Sequence, residues 1–346
     1  VFESGVVQRT PQGQFRLQTI AVELNDRIQV TDGPIRKLDL IAPDVSQEST
    51  LGASELMCCA YSDVGQLKLC RIQERANPFL GTKSLESKTF DLPLDIASEA
   101  AVISVLLIGS GDNVYVVCED GNLTRYDTRS PADAKVVERT HVLPDGDRRL
   151  VFARLILGRE TVVCGDSKGG LRAWFRVRQT LADGDDNTFA LSLVHDLQSA
   201  DSPPTSFTAS RRGRSMTVGY EDGSLRLYHV TTERLLLEQT LPDPQAIRYI
   251  TIAPRDDGLL VASGTGIWRC ELEPGHPEAA WSSLFLPVWY EGYQPPEHIW
   301  QSSFSGVEPE MKLGMVPLVF GTIKATIYSM LFGAPVALLA AIYTSE

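Results

Sequence analysis

Two hydrophobic patterns divide this chain. Up to about residue 285, apolar runs of strand length alternate with turn residues, whereas Leu313–Tyr343 is one apolar stretch whose only charge is Lys324. Four segments of the first part share one layout: a β-branched strand, an acidic-glycine or glycine-rich turn, then a strand with a basic residue. They are Val114–Asp127, Thr161–Val177, Met216–Val230 and Leu259–Leu272; Met57–Ile72 is a fainter copy and Ile20–Asp32 the faintest. Each reads as a β-hairpin, because Asp120-Gly121 and Asp222-Gly223 are dipeptides that reach φ > 0 at the turn and the flanks alternate or run apolar. Shorter strands, Val136–Leu143, Leu150–Ile156 and Arg234–Leu241, lie between copies, giving about four strands per unit.

The turn glycines Gly65, Gly121, Gly170, Gly223 and Gly266 stand 56, 49, 53 and 43 residues apart. Four strands every 40–50 residues is the period of a β-propeller blade. The expectation is an all-β propeller over residues 1–285, with six blades favoured. A seventh is possible, completed by the N-terminal strand and the region around Trp281–Tyr290. A β-sandwich would not repeat one hairpin at such intervals.

The closing run predicts a transmembrane α-helix over residues 313–346. Ala325–Tyr343 is uncharged for 19 residues, which at ~1.5 Å per residue covers the ~30 Å hydrocarbon layer of a bilayer. A buried core helix is the rival reading, but such helices carry a polar stripe, which this one lacks after Lys324. Between the two parts, residues 286–312 concentrate prolines and aromatics. One reading is a loop sealing the bottom of the propeller. The favoured one is an interfacial linker, with Trp289, Tyr290 and Trp300 as anchors at the headgroup level and Lys312 and Lys324 snorkelling toward it. The chain opens on Val1 and stops directly after the apolar run, so both ends read as cuts in a longer protein.

Charge and candidate chemistry narrow the function. The net charge is −12, and since the last 41 residues hold three acids and two bases, the remainder carries −11. Such a surface repels nucleic-acid backbones, so no nucleic acid is expected as partner. The six cysteines show no C-x-x-C spacing and the five histidines no H-x-x-x-H pair, so no metal site or cofactor is expected. Disulfides stay open. No phosphate-loop motif occurs, and the acidic turns lack the rhythm of a calcium loop. The chain is expected not to be an enzyme. Two basic clusters stand out, Arg148-Arg149 and Arg211-Arg212-Gly213-Arg214, both in inter-strand turns. Solvated turns are the plain reading; the functional one has these arginines contacting an acidic partner protein.

The run Glu297–Glu346 resembles the stretch that enters the membrane core of PstC-type permeases of phosphate ABC transporters. The resemblance rests on a Trp-containing segment, the pattern Met315-Val316-Pro317-Leu318 with Gly321-Thr322 and Thr326, the Pro-interrupted Ala334-Pro335-Val336, and the exit Tyr343-Thr344-Ser345-Glu346. It covers about 15% of the chain. It implies a bacterial inner-membrane subunit working with a second permease subunit, a cytoplasmic ATPase and a periplasmic binding protein, with the propeller as a large insertion on the periplasmic side. Ordinary family members have only a short loop there. Gly321, Ala325, Ser329 and Gly333 recur every four positions, a flat face for another helix, and Pro335 would kink the helix. The expected function is thus a fragment of a phosphate-import permease whose propeller docks proteins; the alternative is a membrane-anchored propeller scaffold unrelated to transport, and a propeller enzyme stands last.

Overall fold

The computed structural model describes residues 4–9, 15–20, 28–41, 55–76, 83–94, 100–179, 188–242, 244–264, 266–293, 295–302 and 310–345. A hairpin of β1 (Ser4–Arg9) and β2 (Phe15–Ile20) comes first. Four antiparallel four-stranded sheets follow, each taking its strands in chain order. Sheet 1 holds β3 (Ile35–Ile41), β4 (Glu55–Ser62), β5 (Leu67–Ala76) and β6 (Lys83–Leu92). Sheet 2 holds β7 (Val102–Ile108), β8 (Asn113–Cys118), β9 (Asn122–Asp127) and β10 (Lys135–His141). Sheet 3 holds β11 (Leu150–Leu155), β12 (Val162–Asp166), β13 (Leu171–Gln179) and β14 (Thr188–Leu197). Sheet 4 holds β15 (Pro204–Ala209), β16 (Ser215–Tyr220), β17 (Ser224–His229) and β18 (Arg234–Thr240). Sheet 5 has three strands, β19 (Ile247–Ile252), β20 (Gly258–Ser263) and β21 (Gly266–Glu271).

The first strand of each sheet lies against the first strand of the next: β3 on β7, β7 on β11, β11 on β15 and β15 on β19. The sheets therefore fan out from a common inner edge, which is the geometry of a β-propeller. The core sits between blades rather than at one centre. On β8, Val114 and Val116 face sheet 1 while Tyr115 and Val117 face sheet 3. On β12, Val162 and Cys164 face sheet 2 while Val163 faces sheet 4. A strand with a blade on either side buries both faces, so its sequence runs apolar without alternation. The outer strand β10 instead alternates exposed and half-buried positions, one face in water.

The described residues form five such sheets. The sixth copy expected from the sequence, Ile20–Asp32, lies largely outside the described residues. Of the two pieces expected to complete a seventh, the N-terminal strand pairs only within the β1–β2 hairpin, and Trp281–Tyr290 forms a short helix and an isolated bridge instead of a blade strand. The outward faces of the arc's two end sheets expose apolar side chains: Leu38 and Leu40 on sheet 1, Tyr249, Leu260 and Ile267 on sheet 5. Two expected turn glycines are displaced. In the third copy Gly169, not Gly170, takes the left-handed conformation (φ +81), because a Cβ there would lie 2.1 Å from the carbonyl oxygen of Ala200. In the last copy Gly264 (φ +56) makes the turn and Gly266 already begins β21.

After sheet 5 comes a one-turn helix, α1 (Trp281–Phe285), an isolated bridge between Val288 and Glu297, and a two-residue ladder of β22 (Trp300–Gln301) with β23 (Lys312–Leu313). The chain ends in α2 (Val316–Ser345), 30 residues without one buried side chain. Its mean hydropathy over the most apolar window is 1.9. Pro335 stands inside it. At ~1.5 Å per residue α2 is about 45 Å long, the full bilayer with its headgroup layers.

Candidate functional site at the root of the C-terminal helix

The residues that join propeller to helix enclose a cluster of buried charges. Arg214 sits at the end of the turn between β15 and β16, with its side chain only 4% exposed. Its guanidinium forks onto Glu291: Nη1 donates to Oε1 at 3.1 Å and Nη2 to Oε2. Nε faces Glu310 Oε2 at 3.6 Å. Glu291 Oε1 also accepts from the Thr161 hydroxyl at 2.6 Å, at the entrance to β12. One arginine of sheet 4 and one threonine of sheet 3 thus hold two carboxylates of the segment leading to α2. The planar fork of arginine suits this bidentate grip, which lysine could not reproduce.

Burial works against the charge on Arg214, and Glu291 and Glu310 more than compensate, so its pKa is raised. Burial raises Glu310 as well, against the pull of Arg214 and a hydrogen bond from Thr231. Nearby, Arg176 donates to Glu160 through Nη2 at 2.6 Å and Nε at 3.2 Å. Lys312 is buried, its ammonium 3.3 Å from the Tyr293 hydroxyl, 3.2 Å from Gln301 Oε1 and 4.6 Å from the centre of the Tyr293 ring. Trp289 donates its indole N–H to the Tyr293 carbonyl at 2.9 Å and sets its ring edge-on to Phe175 of β13 at 6.2 Å. Two backbone bonds finish the seam: Gly314 N–H to Ile299 O and Met315 N–H to Leu284 O, both 2.8 Å. Gly314 is required there, since a Cβ would fall 2.8 Å from Ile299 O and 2.9 Å from its nitrogen.

This geometry corrects several expectations. Arg214 does not share a surface cluster with Arg211 and Arg212; those two are exposed, while Arg214 is turned inward onto the carboxylates of Glu291 and Glu310. Arg148 donates to the buried Asp166 at 2.8 Å, and Arg149 is exposed with Glu119 at 3.6 Å. Of the three expected interfacial anchors, Tyr290 is buried and Trp289 half-buried against the propeller; Trp300 alone keeps an exposed ring, at 41%. Lys312 does not reach out of the seam, because two tyrosine rings and an amide oxygen hold it inside. Trp289 and Tyr290 thus pack as the sealing-loop reading expects, whereas Trp300 stays open to its surroundings. Gly321, Ala325, Ser329 and Gly333 all lie exposed along α2. Thr322 and Thr326 donate to Leu318 O and Thr322 O at 2.9 Å, so their hydroxyls are satisfied within the helix itself.

Sequence reasoning missed Glu291 and Glu310 as partners of Arg214, and missed the exposed pair Trp281 and Phe285 on α1. The acids gave no local signal, because Arg214 and Glu291 are 77 positions apart. A cavity of about 310 Å³ opens beside Arg214, lined among others by Arg212, His229, Arg255, Asp256 and Glu278. His229 is buried, bonded through Nδ1 to the Thr232 hydroxyl at 2.8 Å, and burial pushes its pKa down to about 4. It serves packing here.

No protein-family model matches the chain, and no curated protein matches it. Among solved structures, it is similar to the β-propeller domain of Myceliophteria thermophila Cps50 (Swd1), at 14% identity and a TM-score of 0.46 over 63% of this chain; it spans 66% of that chain's length. It is also similar to the computationally designed Ika4 protein, at 14% identity and a TM-score of 0.38, covering 51% of this chain and 94% of that one. The assignment to the propeller class rests on the sheets described above.

Proposed function

We propose that this chain is a membrane-anchored docking platform: a propeller held by a rigid seam on a spanning helix, forming the extracytoplasmic part of a phosphate-type ABC permease. The observation that carries the platform reading is the seam itself. A flexible tether needs no buried arginine gripping two carboxylates, whereas a platform that must keep one orientation over the bilayer does. The transport part is supported by the resemblance of Glu297–Glu346 and by the small-residue ridge of Gly321, Ala325, Ser329 and Gly333, exposed along α2 at the spacing that lets a second helix approach closely. In this reading the platform performs no chemistry. The exposed Arg211 and Arg212 are its contact points for an acidic partner, with a periplasmic binding protein as the candidate.

A Ser329→Cys variant of the full protein, cross-linked in its native membranes, tests the reading. Adducts to another spanning subunit, together with a copurifying ATPase, are expected. Reaction with lipid-phase probes alone and no ATPase would remove transport and leave a membrane-anchored scaffold. Pulldown of a phosphate-binding protein, repeated with Arg211→Ala and Arg212→Ala, tests the contact points separately.

A further inference from the structure

The short helix α1 inverts the usual order of a folded surface. It buries Ser283, at 1% exposure, and presents Trp281 at 80% and Phe285 at 43%. The serine hydroxyl explains half of this, since it caps the turn, accepting from Ala280 N–H at 3.0 Å and donating to Glu278 O at 2.6 Å. The rings, one turn apart on the same side, stack on each other at 5.5 Å and 16°. Leu286 follows at 60% exposure. Nothing in the propeller requires these side chains to face outward, and water is a poor solvent for them.

Their position identifies what covers them. The carbonyl of Leu284, inside α1, accepts the N–H of Met315, the residue before α2 begins. Trp300, 41% exposed, pairs with Leu313 two residues earlier. The first turns of α2 continue the surface with Leu318, Val319 and Phe320, all exposed. An apolar collar carrying two tryptophans therefore lies beside the root of the helix. With α2 as long as the whole bilayer, its root lies at the headgroup level, where tryptophan's amphipathic ring is favoured.

We infer that Trp281, Phe285, Leu286 and Trp300 form a lipid-contact collar that seats the base of the propeller in the headgroup layer. Apolar insertion suits this body, because its net charge of −11 outside the last 41 residues disfavours attraction to anionic lipid. The inference rests on α2 spanning the membrane, and the test separates the two. The full chain is reconstituted into phosphatidylcholine vesicles carrying a nitroxide on the headgroup, and its emission is compared with that of Trp281→Phe. The expected result is a lipid-quenched component shielded from aqueous iodide and lost in Trp281→Phe. If the chain resists alkaline extraction while Trp281 stays open to iodide and unquenched by lipid, the collar is wrong and the spanning helix stands. The same pattern with Trp281 shielded from both quenchers would place a protein there and also overturn the collar. Release by alkaline extraction would overturn both.

Discussion

Replacing Arg214 by alanine is the most searching perturbation of the seam. The substitution removes the cation that faces Glu291 and Glu310 and leaves both carboxylates where water does not reach freely, with side-chain exposures of 18% and 9%. Breaking a buried pair from one side costs about 3–5 kcal/mol, because the remaining charge keeps its desolvation penalty. For a domain of this size that is a fall in Tm on the order of 10 °C. The pH dependence carries a second signature. Burial already raises Glu310, and without Arg214 it rises further. A carboxyl whose folded pKa lies above its unfolded one contributes its stability fully below the unfolded value and loses it as pH rises through the folded value. The defect of Arg214→Ala is thus largest at neutral and alkaline pH and shrinks on mild acidification. Thermal unfolding of the full chain in detergent across that range measures both effects, and the emission of Trp289, packed on Phe175, reports whether the seam opens. A Tm within about 2 °C of the parent at neutral pH would refute the reasoning. So would a triple variant with Arg214→Met, Glu291→Gln and Glu310→Gln no more stable than Arg214→Ala, since neutral neighbours should relieve the orphaned charges.

Three further outcomes are expected. His229, held near 4 by burial against an unperturbed 6.5, stays neutral in the fold while the unfolded chain takes up a proton. Its contribution, about 3 kcal/mol, is complete above pH 6.5 and lost as pH falls toward 4; His229→Gln should flatten stability over that window in equilibrium denaturation. Gly169→Ala forces a side chain into a left-handed turn and onto the Ala200 carbonyl, a loss of about 2–3 kcal/mol. Gly146→Ala, whose φ is also positive but which meets nothing within 4 Å, should cost less in the same assay. Finally, all six cysteines are free, and burial pushes Cys58 up to about 12 and Cys59 well above the ordinary thiol range. Iodoacetamide should therefore label the half-buried Cys270 of the native protein first and Cys59 only after unfolding, as read by peptide mass spectrometry.

The blades were legible because a strand with a neighbour on each face has no choice of pattern. Val114 through Cys118 must be apolar at every position, and the next residue to vary is the turn. The exact turn glycine was not legible. Gly169-Gly170 and Gly264-Thr265-Gly266 offer two glycines each, and the choice depends on which one approaches a distant backbone, such as Ala200. The helix was legible from its missing charges alone. Two of the expected anchors pack inward for a physical reason: Trp289 and Tyr290 have the composition of an interfacial belt, but composition does not say which aromatic finds an indole acceptor or a ring partner inside the fold. Tryptophan is amphipathic, and both environments satisfy it. Trp281, in contrast, stacks on Phe285 of its own short helix and stays exposed.

The path of the chain after sheet 5 explains why the seam lies where it does. A helix hung directly from β21 would pull on the last sheet, a three-stranded one with a bare outer face. The segment instead crosses back to sheets 3 and 4, where Thr161, Phe175 and Arg214 receive it. Those sheets enclose the interior built around Phe152, Val163, Met216 and Tyr228, with a blade on each side. In a fan of blades each sheet contacts mainly its neighbours, so a strap from the end of the fan to its middle adds contacts between parts the repeat itself leaves separate. Through those contacts a tilt of α2 would reach the middle of the fan rather than its end sheet. The cost of burying three charges to make that strap has a mechanical rationale: an apolar contact can slide, whereas a forked arginine holds one register.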